Sequence, residues 1–200
     1  ADSISKTHDI SLKKIFYLPN GIDPNEFKKI FKINKSKNEF WVGFIGNWEH
    51  WIEIEDLLKT SINESGYKVV VIGEGHNYLE MKKKYKDVIF LGKVPKIKAL
   101  SYMKAIDIFC SPWSNNPIFE EKSARKTFEY LFTGKPIIVS DVSGKEDFLV
   151  ENINCLTYQL NNIEDLKLKI KNLIYDKSLR SNISKNNKVL GNKFVWDKLI

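Results

Sequence analysis

Arginine is almost missing from this chain. Of its 32 basic residues only Arg125 and Arg180 are arginine, and the rest are lysine. Readers of nucleic acid reach guanine and phosphate with arginine forks. The net charge of +7 therefore reads as a lysine-rich solvated surface, and no nucleic-acid partner is expected. Attraction to an acidic ligand or a membrane surface is the second reading. Cysteine is scarce too. Cys110 and Cys155 both sit inside apolar runs, as buried thiols of a reducing compartment do, and no disulfide is expected. The histidines are His8, His50 and His76. No pair has metal-ligand spacing and no cysteine lies near one, so no metal site is expected. With 10 glycines and 6 prolines, a collagen-like or low-complexity chain is excluded. No apolar run approaches the roughly 18 residues of a membrane-spanning helix. The opening ADSISKTHDISLKK lacks the apolar stretch of a secretory signal.

What is present is an alternation. Apolar, β-branched runs occur at Phe40 to Ile45, Tyr67 to Ile72, Val88 to Leu91, Ile106 to Cys110, Pro136 to Val139 and Cys155 to Tyr158. Their length and content suit buried parallel strands. Segments of helical period lie between them: Ile54 to Ser61, Tyr78 to Tyr85, Lys96 to Lys104, Arg125 to Phe132 and Ile163 to Ile174. In the first of these, Ile54, Leu57, Leu58 and Ile62 form one apolar face. A β-α-β-α order with short connections predicts an α/β domain, Rossmann-like, with a parallel sheet of about six strands between two helical layers. Ligands of such sheets sit beyond the carboxyl ends of the strands, beside helix N-termini. His50 and His76 both follow apolar runs, and either face that cleft or are ordinary polar loop residues.

Gly73, Glu74 and Gly75 stand between a strand and a helix. A dinucleotide fingerprint needs a further glycine three residues on, where the chain has Tyr78. A tight turn is the preferred reading over a phosphate cradle. The densest segment is EEKSARKTFEYLFTGKPIIVSDVSG, from Glu120 to Gly144. On a continuous helix, Glu121 and Glu129 would be about 12 Å apart along the axis. Carboxylates accept hydrogen bonds in pairs, which suits vicinal hydroxyls of sugars. The helix N-terminus around Ser123 to Lys126, with Arg125 and Lys126, suits a pyrophosphate. Glutamates so spaced on an amphipathic helix are, as a rule, solvated surface, and alone they decide little.

The order of short motifs decides more. The glutamate pair followed by YLFTGKPII resembles the donor-binding motif of family-4 retaining glycosyltransferases, which have the GT-B architecture of two facing Rossmann-like domains. LPNGID at Leu18 to Asp23, then Phe27, resembles the opening of that family's C-terminal domain. GFIGNWEHW, VVIGEG, FLGKVP, DIFCSP, SDVSGKED and the closing FVWDKL follow in the family's order. The resemblance covers the chain from about Lys14 to Ile200. It implies that residues 1–16 lead in, that 17–200 form one half of a GT-B fold, and that an acceptor-binding N-terminal domain is absent from this chain.

The implied function is donor binding by a retaining sugar transferase. By position Glu121 would bind hydroxyls of the transferred sugar and act in catalysis, and Glu129 would bind the ribose. Amides near Arg125, Lys126 and Thr127, with Gly46 and Asn47 of the first loop, would meet the diphosphate, and the turn Gly92, Lys93, Val94 the base. The expected ligands are a nucleoside-diphosphate sugar and, through the missing half, a glycan or lipid-linked acceptor of surface polysaccharide synthesis. No metal or other cofactor is implied. The expected location is cytoplasmic, with peripheral association at the inner membrane face, and the fragment alone is expected to be inactive. Members often carry an arginine after the first-loop glycine and a lysine five residues on. Those places hold Asn47 and Ile52, so Lys122, Arg125 or Lys126 supplies the missing cations or donor binding is weak. Two alternatives remain: a non-catalytic GT-B-like nucleotide-binding or assembly module, and a sugar-nucleotide epimerase of the same fold.

Overall fold

A computed structural model describes residues 11–14, 16, 18–116, 124–143, 145 and 147–200. Six strands lie where the apolar runs predict them: β1 (Trp41–Ile45), β2 (Lys68–Ile72), β3 (Ile89–Phe90), β4 (Ile108–Ser111), β5 (Ile137–Ser140) and β6 (Leu156–Tyr158). They form one parallel sheet in the order β3-β2-β1-β4-β5-β6. β1 pairs with β2 from Trp41 opposite Lys68 to Ile45 opposite Ile72, and on its other side with β4 at Val42 opposite Ile108. Every residue of β1, β4 and β5 is buried. This is why those strands read as continuous apolar runs rather than alternating ones.

The helices are α1 (Ile54–Lys59), α2 (Tyr78–Lys84), α3 (Lys96–Ala105), α4 (Arg125–Thr133), α5 (Ile163–Tyr175), α6 (Lys177–Gly191) and α7 (Trp196–Leu199). The chain runs outward from β1 through β2 to β3, then returns and runs outward the other way through β4, β5 and β6. Right-handed crossovers therefore put α1 and α4 on opposite faces of the sheet. Accordingly α1 packs with α5, and α4 with α3 and α6. The reversal of direction falls between β1 and β4, the crevice where sheets of this order hold ligands. Among the described residues no helix is long and apolar enough to cross a membrane. Cys110 and Cys155 are both buried and free.

Two expectations on helices need correction. The apolar face of α1 is Ile54, Leu57 and Leu58 only. The helix stops at Lys59, so Ile62 lies beyond it and is 48% exposed. The longest helix, α6, has no counterpart in the predicted pattern. Its sequence KSLRSNISKNNKVLG is largely polar, and its buried residues are Ile183, Asn187 and Gly191. Asn187 is held by its amide, which donates to Lys135 O at 2.8 Å. Gly191 allows the backbone of α4 to pass, because a Cβ there would lie 2.5 Å from Leu131 C.

Candidate functional site

The loops after β1 and β2 are fastened backbone to backbone. Gly46 donates its amide to Ile72 O at 2.9 Å, Trp48 to Glu74 O at 3.4 Å, and His76 to Trp48 O at 3.3 Å. Gly73 has φ +115°, and a Cβ on it would lie 2.2 Å from Gly46 O. At Gly75 the same atom would lie 1.9 Å from Trp48 O. The two glycines are thus required by close approach of two chain segments, and the tight turn is the correct reading of GEG.

From there the edge continues to the turn after β3. Gly92, with φ +63°, accepts from the Gly73 amide at 2.9 Å. Glu74 Oε1 accepts from the Lys93 amide at 3.3 Å. Lys93 is exposed and Val94 half-buried. Gly46, Asn47 and the Gly92–Val94 turn therefore share one continuous edge at the carboxyl ends of β1, β2 and β3. Glu74, its stitch, was not anticipated as anything but a turn residue.

α4 brings the charged groups to that edge. Thr127, Phe128, Tyr130 and Leu131 form its buried side, which leaves Arg125, Lys126 and Glu129 on the other. Tyr130 sets its depth: the ring stacks on Phe109 with centroids 3.8 Å apart. Its hydroxyl accepts from Ile45 N at 2.9 Å and donates to Ile45 O at 3.1 Å. The second turn of the helix is thereby clamped to the last residue of β1. Lys126 reaches over the Phe44 ring, its Nζ 4.2 Å from the centroid. A Cβ built on Gly46 would lie 3.9 Å from that Nζ. A cation thus stands beside the first-loop glycine although Asn47 and Ile52 hold the positions where the resemblance led to an expected arginine and lysine. Ile52 is core instead. It is 7% exposed and forms a bridge with Trp113, tying the loop after β1 to the loop after β4.

Glu129 is half-buried and pairs with Arg125 Nε at 3.3 Å. Burial pushes its carboxyl above the usual carboxylate range, against the opposing pull of Arg125 and Lys96. Arg125 also meets Glu26 at 3.5 Å, and Glu26 pairs with Lys96. Nothing in the sequence linked Glu26, about a hundred residues upstream, to Glu129. Thr127 is fully buried and donates its amide to Ala124 O at 2.9 Å. It lies beneath the cleft rather than on its surface. Its hydroxyl has no hydrogen-bond partner among the described residues.

Glu121, Lys122 and Ser123 lie outside the described residues, as do Gly144 and Glu146. Helix α4 begins at Arg125 with Ala124 at its N-cap. The spacing expected between Glu121 and Glu129 thus lies partly outside the described residues. Ala124, at the N-cap, makes no side-chain cap hydrogen bond.

The fold also joins two histidines that are 26 positions apart in sequence. The rings of His50 and His76 lie 4.4 Å apart, on a cavity of about 420 Å³ that Glu49, Glu53 and Glu80 also line. Among the described residues no three His, Cys, Asp or Glu side chains are placed to hold a metal ion.

Chemically, the edge offers a lysine and an arginine beside a helix N-terminus, which suits a diphosphate. One turn along it offers a half-buried carboxylate, which suits a pair of hydroxyls. Comparison with known proteins bears on the family and the fold. Residues 25–189 match the family described as glycosyl transferases group 1. An uncharacterized glycosyltransferase of Methanocaldococcus jannaschii is 26% identical over 150 residues, 72% of this chain and 41% of that protein. Sucrose-phosphate synthase from Thermosynechococcus elongatus has a similar fold, with a TM-score of 0.77 at 16% identity over 99% of this chain and 53% of that one. So does Anabaena HepE in complex with UDP-glucose, with a TM-score of 0.71 at 18% identity over 91% of this chain and 54% of that one. The chain spans about half the length of the three proteins named.

Proposed function

From a chain that belongs to the group 1 glycosyl transferases, we propose the donor-binding half of a retaining glycosyltransferase. In this reading the whole enzyme moves a hexose from a nucleoside-diphosphate sugar to a glycan or lipid-linked acceptor in surface polysaccharide synthesis. It works in the cytoplasm, at the inner face of the membrane, with the acceptor held by a further domain. This half alone binds donor and turns over little.

The observation that carries the proposal is Lys126. It supplies, from the first turn of α4, a cation at Gly46 that the first loop itself lacks. Transfer from such a donor leaves a departing diphosphate and an electron-poor sugar carbon. Preorganised charge aimed at the departing group is the largest lever on that barrier. Lys126, Arg125 and the positive end of α4 meet the diphosphate, and no metal is invoked. Glu129 accepts from the ribose hydroxyls, releasing Arg125 toward the phosphate. The Gly92–Val94 turn meets the base, and Glu121 the transferred sugar. HepE, a fold neighbour, was crystallised with UDP-glucose, which makes a uridine donor the first to try.

The test is a thermal shift of this chain with UDP, GDP and ADP. At a hundredfold excess over Kd, binding adds about 2.7 kcal/mol, roughly 5–10 °C for a domain of this size. One nucleotide should give that shift, and Lys126→Gln and Glu129→Gln should each lose it. A folded chain that responds to none of the three would contradict donor binding by this half and favour the assembly module.

A further inference from the structure

At the opposite edge of the sheet, under the amino ends of β1, β4 and β5, lies a second cavity of about 390 Å³. Phe40, Asp107 and Pro136, the residues just before those strands, form its roof, and α6 forms its wall. Lys177, Arg180, Ser181 and Ser184 face it from α6. Their spacing of three, four and seven is that of one helix stripe. Lys135 completes the lining.

The charges in this space do not balance. Three cations line it against one carboxylate, Asp107. That carboxylate is already engaged, by Lys35 and by the Trp41 amide at 2.8 Å. The ammonium groups of Lys135 and Lys177 make no hydrogen bond or ion pair among the described residues. Burial holds the Lys135 ammonium below the usual lysine range, with Lys104 and Lys35 adding to it and Asp107 opposing it. Arg180 is anchored: Nη1 donates to Leu173 O and Ile174 O, both at 2.6 Å, and the guanidinium lies 5.2 Å over the Phe40 ring. Its Nε and Nη2 make no hydrogen bond among the described residues.

Two cations, a fixed guanidinium edge and two hydroxyls thus converge on a concave, partly dry space. We propose that this cavity is a binding site for a phosphate group, carried by a small solute or by a lipid headgroup. Lys135, Lys177 and Arg180 neutralise it, and Ser181 and Ser184 donate to its oxygens. It is separated from the edge built by Lys126 and Glu129 by the length of β1, about 15 Å at 3.3 Å per residue. It stands or falls independently of the sugar-transfer reading.

Isothermal titration of the chain with inorganic pyrophosphate at low salt, and co-sedimentation with phosphatidylglycerol vesicles against phosphatidylcholine vesicles, test it. The variants are Lys135→Gln, Lys177→Glu and, as a control, Lys83→Glu. Lys177 is exposed, so its replacement leaves the core alone and decides the matter if Lys135→Gln fails to fold. Both cavity variants should weaken binding at least tenfold, and Lys83→Glu, an exposed charge change on α2 that lines neither cavity, should leave it in place. An effect on pyrophosphate assigns a soluble ligand. An effect confined to phosphatidylglycerol assigns a headgroup. Binding of neither probe, binding unchanged in Lys177→Glu, or an equal loss in Lys83→Glu, overturns the proposal.

Discussion

Tyr130→Phe removes one oxygen atom and tests how α4 is held. The ring remains free to stack on Phe109, so the aromatic packing is preserved. What is lost is both hydrogen bonds to Ile45, made by a residue that is wholly buried. Each buried backbone group left without a partner costs about 1–3 kcal/mol. Two such groups, partly relieved by local adjustment, give about 2–4 kcal/mol. For a chain of this size that lowers Tm by roughly 5–15 °C. Urea unfolding followed by circular dichroism measures it directly, and an unchanged m-value shows that the unfolded reference is the same. Lys126 lies one turn from Tyr130 and Glu129 beside it, so nucleotide affinity should fall as well, although Tyr130 does not line the edge. A loss under about 0.5 kcal/mol would refute the clamp, and would mean that packing alone sets the depth of α4.

Three further outcomes follow from the geometry. Gly75→Ala places a methyl 1.9 Å from Trp48 O, a backbone atom that cannot rotate away. It should cost about 3 kcal/mol or more, and a neutral result in urea unfolding would contradict the packing of the two loops. Glu129→Gln should be more stable than the parent at pH 7, because the native carboxyl is raised and its ionisation opposes folding. The gain should vanish as pH falls through the native value toward that of the unfolded chain. Stability curves from pH 3.5 to 8 would show instead a loss at pH 7 if the Arg125 pair outweighed burial. Cys110 and Cys155 should resist a thiol reagent at pH 8 until denaturant is added. Burial pushes the Cys155 thiol up to about 12 and Cys110 higher still. Rapid reaction of either in the native chain would refute their burial.

The strands were legible because full burial on both faces leaves an unbroken apolar run, as in VVVI of β2. Helix α6 was illegible for the opposite reason. Its buried positions include an asparagine and a glycine, one chosen for a hydrogen bond to Lys135 O and the other for a close backbone passage. Neither registers as hydrophobic period. At the candidate site, the cluster Arg125, Lys126 and Glu129 was legible because it lies on one helix turn. Glu26 and Lys96 were not, since only the fold brings them to that turn, nor was Glu74, which the fold sets against the Lys93 amide. Lys126 shows the limit most plainly. The sequence singled it out as one of three substitutes for absent cations, but its reach over Phe44 to Gly46 depends on the depth at which Tyr130 seats the helix.

The two outermost strands are very short: β3 has two residues and β6 three, beside inner strands of four or five. A row of open amides and carbonyls is what lets a stray strand extend a sheet. Here each rim presents little more than a single repeat of that pattern. A parallel sheet of buried valine and isoleucine would, with long rims, template its own aggregation. Truncated rims let the domain keep so apolar an interior and still stay apart from its copies when crowded. Lengthening β3 or β6 by a few β-branched residues should lower solubility well before it alters the fold.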